Sequence, residues 1–254
     1  MTLVWHQLRF DQKLFWRNPA AVFFTVLFPL IFLIGIDAVS GDRTISVRGS
    51  IEVTTYYVPA VITLAVISAT LVSLAHSLTR DRESGVLKRL RGTPLPGWVY
   101  ITGRLGTSIA ISMVMAILVA AVGSLAFGVA IPDTTVPALI LTLAIGAAAF
   151  ACLGFALTTF IPNQEAAPAI TQAVVLPLYF VSGVFVPESE IPEGVLQIAD
   201  LFPVRPLFEA FLAGFDPATT GSGLEPGHLA VVVAWGLVGL LIAMRRFRWS
   251  PRDG

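Results

Sequence analysis

The sequence predicts an all-α integral membrane protein: six transmembrane helices, an interfacial helix ahead of the first, and a re-entrant pair of short helices before the last. Three observations predict it. Of the 254 residues, 56% are hydrophobic and 13% charged, against about 25% charged residues in a soluble domain. Apolar stretches near 20–36, 57–78, 105–127, 136–160, 167–186 and 228–244 match the roughly 20 residues that a bilayer crossing needs. With both termini inside, thirteen of the sixteen Lys and Arg residues fall in cytoplasmic segments, as expected when positive charge stays on the inner side. An even number of spans follows, and 1–254 reads as a single transmembrane domain.

Composition also excludes function classes. The formal net charge is zero, so nothing points to nucleic acid. Cys152 is the only cysteine, which leaves no disulfide framework and no Cys/His metal spacing. His6, His76 and His228 are isolated, and no pair or triad suited to catalysis surrounds them. A Gly-x-x-x-x-Gly-Lys-Ser/Thr phosphate loop is absent.

Residues 1–18 read as an amphipathic helix lying in the inner interface. Arg9, Lys13 and Arg17 recur every four residues, flanked by Leu3, Phe10 and Leu14 on one side and by Trp5 and Trp16 on the other. A cationic stripe against headgroups with apolar flanks toward lipid suits that position. The basic region is long and no small-residue cleavage site follows the apolar run, which argues against a signal peptide. Asn18-Pro19 breaks the helix. Phe28-Pro29 predicts a kink in the first span. Tyr56-Tyr57-Val58-Pro59 closes a polar external loop over 37–56, with Pro59 near the start of the second span, where proline costs little. Ser68, Thr70, Ser73 and Ser77 in that span either line a substrate path or bond back to their own helix. Gly123, Gly128, Gly146, Ala147, Ala148, Ala149 and Gly154 mark spans three and four as bundle interior, because small residues let helices approach closely. Pro162 to Glu165 is a tight inner turn.

Arg80 to Arg104 is the most charged stretch of the chain. A helix fits residues 80 to 91. At about 100° per residue, Glu83, Val86, Leu87 and Leu90 share one face, with Arg82, Lys88, Arg89 and Arg91 outside that arc. Thr93-Pro94 and Pro96-Gly97 then turn the chain. Two readings stand: an apolar patch with one carboxylate that docks on a soluble partner, or a positive loop that only fixes topology.

After the fifth apolar stretch comes Ser182-Gly183-Val184-Phe185-Val186-Pro187, then Ile191-Pro192, Pro203 and Pro206 among leucines and phenylalanines. This segment is too broken by proline for one span and too apolar for an open loop. Two short amphipathic helices fit, near 192–201 and 205–213. Turns at membrane depth are tolerated where protein covers them or a watery cavity adjoins, so the pair dips back into the outer leaflet.

These motifs resemble the ABC-2 type transporter permeases, in the drug- and antibiotic-resistance branch. The resemblance rests on Glu83-x-Gly85-x-Leu87-x-x-Leu90-x-x-Thr93-Pro94-Leu95 followed by Tyr100 and Gly103-Arg104, on the Tyr-x-x-Pro opening of span two, and on Ser-Gly-x-x-x-Pro, Ile-Pro-x-x-x-Leu and Pro-x-x-Pro in the outer segment. Arg205-Pro206 departs from the small polar or apolar residue expected there. The resemblance implies a permease subunit of an ATP-driven exporter that moves a hydrophobic or amphipathic substrate outward: a drug, antibiotic, lipid or lipid-linked glycan. It implies a coupling helix over 80–92, in which Arg82, Glu83, Val86, Leu87, Leu90, Thr93 and Pro94 contact a separate ATP-binding subunit. The interfacial helix with Arg9, Lys13 and Arg17 touches the same partner. Ser182, Gly183, Pro187, Pro192, Pro203 and Pro206 shape external re-entrant helices over 187–213. ATP and Mg are held by the partner, leaving no cofactor and no enzyme site in this chain. A second permease completes a homodimer or heterodimer in the plasma membrane. The alternative is a stand-alone secondary transporter or channel, which usually carries ionisable residues within its spans; the six apolar stretches have none at their centres.

Reporter fusions at residue 254 and within 40–50 test the orientation. The expected outcome is a cytosolic C-terminus and an external 40–50 loop; an external C-terminus would end the six-span arrangement.

Overall fold

The computed structural model describes residues 9, 12–13, 16–17, 19–40, 43–47, 50–86, 89, 97–219 and 221–246. Leu87, Leu90, Thr93 and Pro94 of the expected coupling helix lie outside these residues, as does most of the N-terminal stretch.

Pro19–Val22, a π-turn over Phe23–Leu27 and Phe28–Ser40 run on as one helix, α1. The π-turn sits just ahead of Pro29, with the Phe28 amide bonded to the Phe23 carbonyl. This wider turn absorbs the disruption that proline brings to the ladder. A two-stranded ribbon follows, the one departure from all-α structure among the described residues: β1 (Thr44–Ile45) and β2 (Ile51–Glu52) pair antiparallel, Thr44 opposite Glu52 and Ile45 opposite Ile51. Helix α2 (Val53–Glu83) contains a second π-turn over Ser68–Val72. It begins earlier than expected, so Pro59 stands inside the helix instead of at its start. Next come α3 (Gly97–Phe127), α4 (Val136–Thr158) and α5 (Ala166–Val181). A 3-10 turn (Glu188–Glu190), α6 (Glu193–Ala199) and α7 (Val204–Phe215) precede the last helix, α8 (Pro226–Arg246).

Four of these helices are long and apolar enough to cross a membrane: α2, residues Val99–Phe127 of α3, α4 and α8. Phe28–Val39 within α1 and Ala166–Val181 are apolar but shorter. Helix α2 is the axis of the bundle. Every residue from Val53 to Ile67 is buried, and the helix packs against α1, α3, α4 and α7. Apolar side chains all round a helix mark a core position. The other long helices bury one stripe and turn the rest outward. In α8 the buried set is Leu229, Val232, Gly236, Gly239 and Ala243, while Leu237, Leu240, Leu241 and Met244 are exposed.

Small residues set the closest contacts. A Cβ at Gly239 would lie 2.9 Å from the Leu153 amide nitrogen, one at Gly236 2.9 Å from Ala149 Cα, and one at Gly154 2.9 Å from Leu71 Cα. Helix α4 therefore touches α8 and α2 backbone to backbone, and dispersion between closely approached helices supplies much of the packing energy in lipid. Ala148 faces outward. Gly128 does not pack: it takes φ +70° and ends α3. In α2, Thr70 donates to the Val66 carbonyl at 2.6 Å and Ser77 to the Leu74 carbonyl at 3.4 Å, the back-bonding option.

The glycine contacts make a direct prediction. Gly239→Leu drives a side chain into the α4 backbone, which cannot yield as a flexible side chain would, and should cost about 1–3 kcal/mol. Denaturation in detergent checks this against Leu237→Ala on the exposed face, which should leave stability nearly unchanged.

Candidate functional site

The α2–α3 loop is locked at its base by two successive residues of α2. Asp81 accepts a hydrogen bond from the Tyr100 hydroxyl at 2.5 Å and forms an ion pair with Arg104. The Arg104 guanidinium also lies over the Tyr100 ring, 5.4 Å from its centroid. These contacts tie the end of α2 to the start of α3, across the loop. Arg82 points the other way. It is 5% exposed and donates to the carbonyls of Thr158 at 3.0 Å, Ile161 at 2.7 Å and Pro162 at 3.1 Å. The last carbonyls of a helix lack intrahelical donors, and a cation there also suits the helix dipole. Arg82 thus caps α4 and holds the α4–α5 turn.

The single helix expected over 80–91 is broken. Residues 80–83 complete α2, Ser84 and Gly85 turn the chain, and helical structure resumes at Val86. Gly85 sits at φ +70°, the left-handed conformation that ends helices and favours glycine. The Arg89 amide bonds to the Gly85 carbonyl at 3.0 Å, and its guanidinium to the Ser84 carbonyl at 3.2 Å. Glu83 is exposed and Val86 half-buried. Arg82, expected within the partner-contact set, is directed into the protein. Arg9, Lys13 and Arg17 are exposed, and the Arg17 amide bonds to the Lys13 carbonyl at 3.2 Å.

At the opposite end of α2, two tyrosines hold the turn after α5. The Tyr56 hydroxyl donates to the Gly183 carbonyl at 2.7 Å and accepts from the Glu188 amide at 3.2 Å. Tyr57 donates to the Phe185 carbonyl at 3.2 Å. Gly183 takes φ +89°, and a Cβ there would meet the Tyr56 hydroxyl at 2.9 Å and Phe208 at 3.0 Å. Both conformation and space therefore require glycine. The Ser182 hydroxyl bonds to the Tyr179 carbonyl at 3.3 Å. Pro187, Pro192 and Pro203 each stand just before a helical turn, and Pro206 lies in the first turn of α7, where its missing donor costs little.

Helix α7 is amphipathic in sequence yet buried over its whole length. It packs on α2, α4, α5 and α8. Its charged residues pair with one another and with the preceding turn. Arg205 bonds to Asp200 at 2.8 Å and Glu188 at 3.0 Å, with Glu209 at 3.3 Å one turn on. Burial works against the Arg205 charge, but Glu209, Glu188 and Asp200 outweigh it and hold the guanidinium above its ordinary range. Removing one member of a buried ion group leaves charge uncompensated and commonly costs about 3–5 kcal/mol. The sequence marked Arg205 only as a departure. A basic residue four before an acidic one, among phenylalanines, was the available signal. The α6–α7 turn is fixed to α8 by Trp235, whose ring nitrogen donates to the Leu201 carbonyl at 2.7 Å.

The described residues form an α-helical bundle with apolar helices long enough to cross a membrane, a loop clamped at one end, and at the other a short helix pair of which α7 is buried. The model of the ABC-2 type transporter family matches residues 2–215, and the chain belongs to that family, as a membrane permease subunit of an ABC transporter. The match ends at the last residue of α7, leaving α8 beyond it. No curated protein matches the chain.

Proposed function

We propose that the chain is the permease of an ATP-driven exporter, crosses the membrane six times with both termini cytosolic, and works with a second permease and a separate ATP-binding subunit. The family membership supports a transport role. The shorter apolar helices support the remaining two spans: residues 19–40 form one uninterrupted helix of about 33 Å at 1.5 Å per residue, against a hydrocarbon core of about 30 Å. Helix α5, at about 24 Å, is extended by the turn and helices that follow it.

The observation that carries the coupling role is the double clamp at Asp81 and Arg82. A partner pressing on 84–96 would move α2, α3 and the α4–α5 turn together, because side-chain bonds join all three. The exposed Glu83 and half-buried Val86, with Leu87 and Leu90, form the contact face, and Arg9, Lys13 and Arg17 add a basic surface. Apolar spans and the absence of charge at their centres favour an apolar or amphipathic cargo, such as a drug, antibiotic or lipid, over an ionic one.

The test is Leu87→Asp against Lys88→Ala, each expressed with the ATP-binding subunit. A buried anchor replaced by a charge should weaken association at least about tenfold, seen as lost co-purification, while Lys88→Ala should retain the partner. Normal insertion of Leu87→Asp with full partner retention would reduce the loop to a topology signal.

A further inference from the structure

At the end of the bundle that carries the Asp81–Arg104 clamp, a crevice of about 200 Å³ opens between α3, α4 and α8. Ile101 and Leu105 line it from α3, Cys152 and Phe155 from α4, and Ala243 and Met244 from α8. None of these side chains carries charge. The volume falls below the about 300–1,000 Å³ of pockets that hold drug-sized ligands and suits a segment of a flexible hydrocarbon chain.

Basic residues stand beyond the lining on α8. Arg246 is exposed, lies three residues beyond Ala243 on the same flank of α8, and is positioned over the Phe160 ring at 5.9 Å. Arg245 is also exposed. Among the described residues, no carboxylate pairs with either arginine. Arg104, on the α3 side, is already engaged by Asp81. An apolar slot at membrane depth with unneutralised guanidinium charge at its interfacial end has the complementarity of one molecule: a lipid with an acyl chain and an anionic headgroup.

We propose that this crevice binds an anionic phospholipid, with one acyl chain between α3, α4 and α8 and its phosphate against Arg246. Neither the loop nor the outer helix pair lines the site. Its assignment to the inner leaflet alone rests on the cytosolic placement of the C-terminus. The bound lipid fills a gap beside the α4–α8 contact and wedges α3 against it.

Native mass spectrometry of the full chain, titrated with phosphatidylglycerol or with phosphatidylcholine of the same acyl chains, tests the site without reference to transport. The wild-type chain should bind one phosphatidylglycerol about fivefold more tightly than phosphatidylcholine, the factor that one basic residue at an anionic lipid surface supplies. Arg246→Gln should remove that preference, and Ala243→Phe, which fills the slot, should remove both lipids from it. A second measurement needs no variant. Cys152 lines the slot, so phosphatidylglycerol should slow its reaction with a lipid-soluble maleimide more than phosphatidylcholine does. Equal binding of the two lipids, an unchanged preference in Arg246→Gln, retention of the lipid by Ala243→Phe, or equal Cys152 labelling rates in both lipids would each overturn the proposal. Because none of these readouts involves an ATP-binding subunit, their failure is distinct from failure of the coupling face.

Discussion

Arg82 spends its guanidinium on three backbone carbonyls, and much of the architecture at that end of the bundle depends on that choice. A charged side chain at the end of a nearly all-apolar helix would ordinarily seek water. Here it is buried because the α4 terminus and the α4–α5 turn offer acceptors that have no other donor. Its neighbour Asp81 turns to α3 and pairs with Arg104 and Tyr100. Two adjacent residues thereby fix one helix end to two others. Lysine would serve poorly at Arg82, since a single ammonium cannot present the planar fork that spans three carbonyls.

The same helix is held at its far end by Tyr56 and Tyr57, through the Gly183 turn and the helices that follow. Helix α2 spans about 46 Å at 1.5 Å per residue, close to the about 40–45 Å thickness of a bilayer with its headgroups. Apart from its π-turn it is a rod, joined by specific hydrogen bonds at both extremities. The joint leads through a 3-10 turn and α6 into α7, whose Arg205 pairs with Glu188, Asp200 and Glu209. A displacement of the α2–α3 loop therefore has a continuous packed path to the α6–α7 pair.

Much of this was legible in the sequence where a residue's chemistry and its periodicity agreed. Apolar runs marked the helices, and the spacing of Pro187, Pro192, Pro203 and Pro206 marked where the outer segment breaks. Other features escaped because they depend on distant partners. Arg82 read as part of the partner-contact set, since nothing local reveals the α4 carbonyls that receive it. Helix α7 read as an amphipathic helix dipping into the outer leaflet, since its pattern does not say that Glu188 and Asp200 will supply its polar surroundings. Gly85 was visible as part of a motif, yet its role in ending α2 depends on a left-handed conformation that periodicity does not encode. The substrate path has no such signature: Thr70 and Ser77 turn back onto their own helix.

The most direct measurement of the central claim is a spin-label distance between Val39 and Ile198, both exposed, in a Cys152→Ala background of the permease–ATPase complex. ATP binding should shift this outer distance in the parent protein. Arg82→Gln should abolish the shift while the ATP-binding subunit stays attached, because the loop then moves without the turn it was bonded to. An undiminished shift in Arg82→Gln would contradict transmission through the clamp.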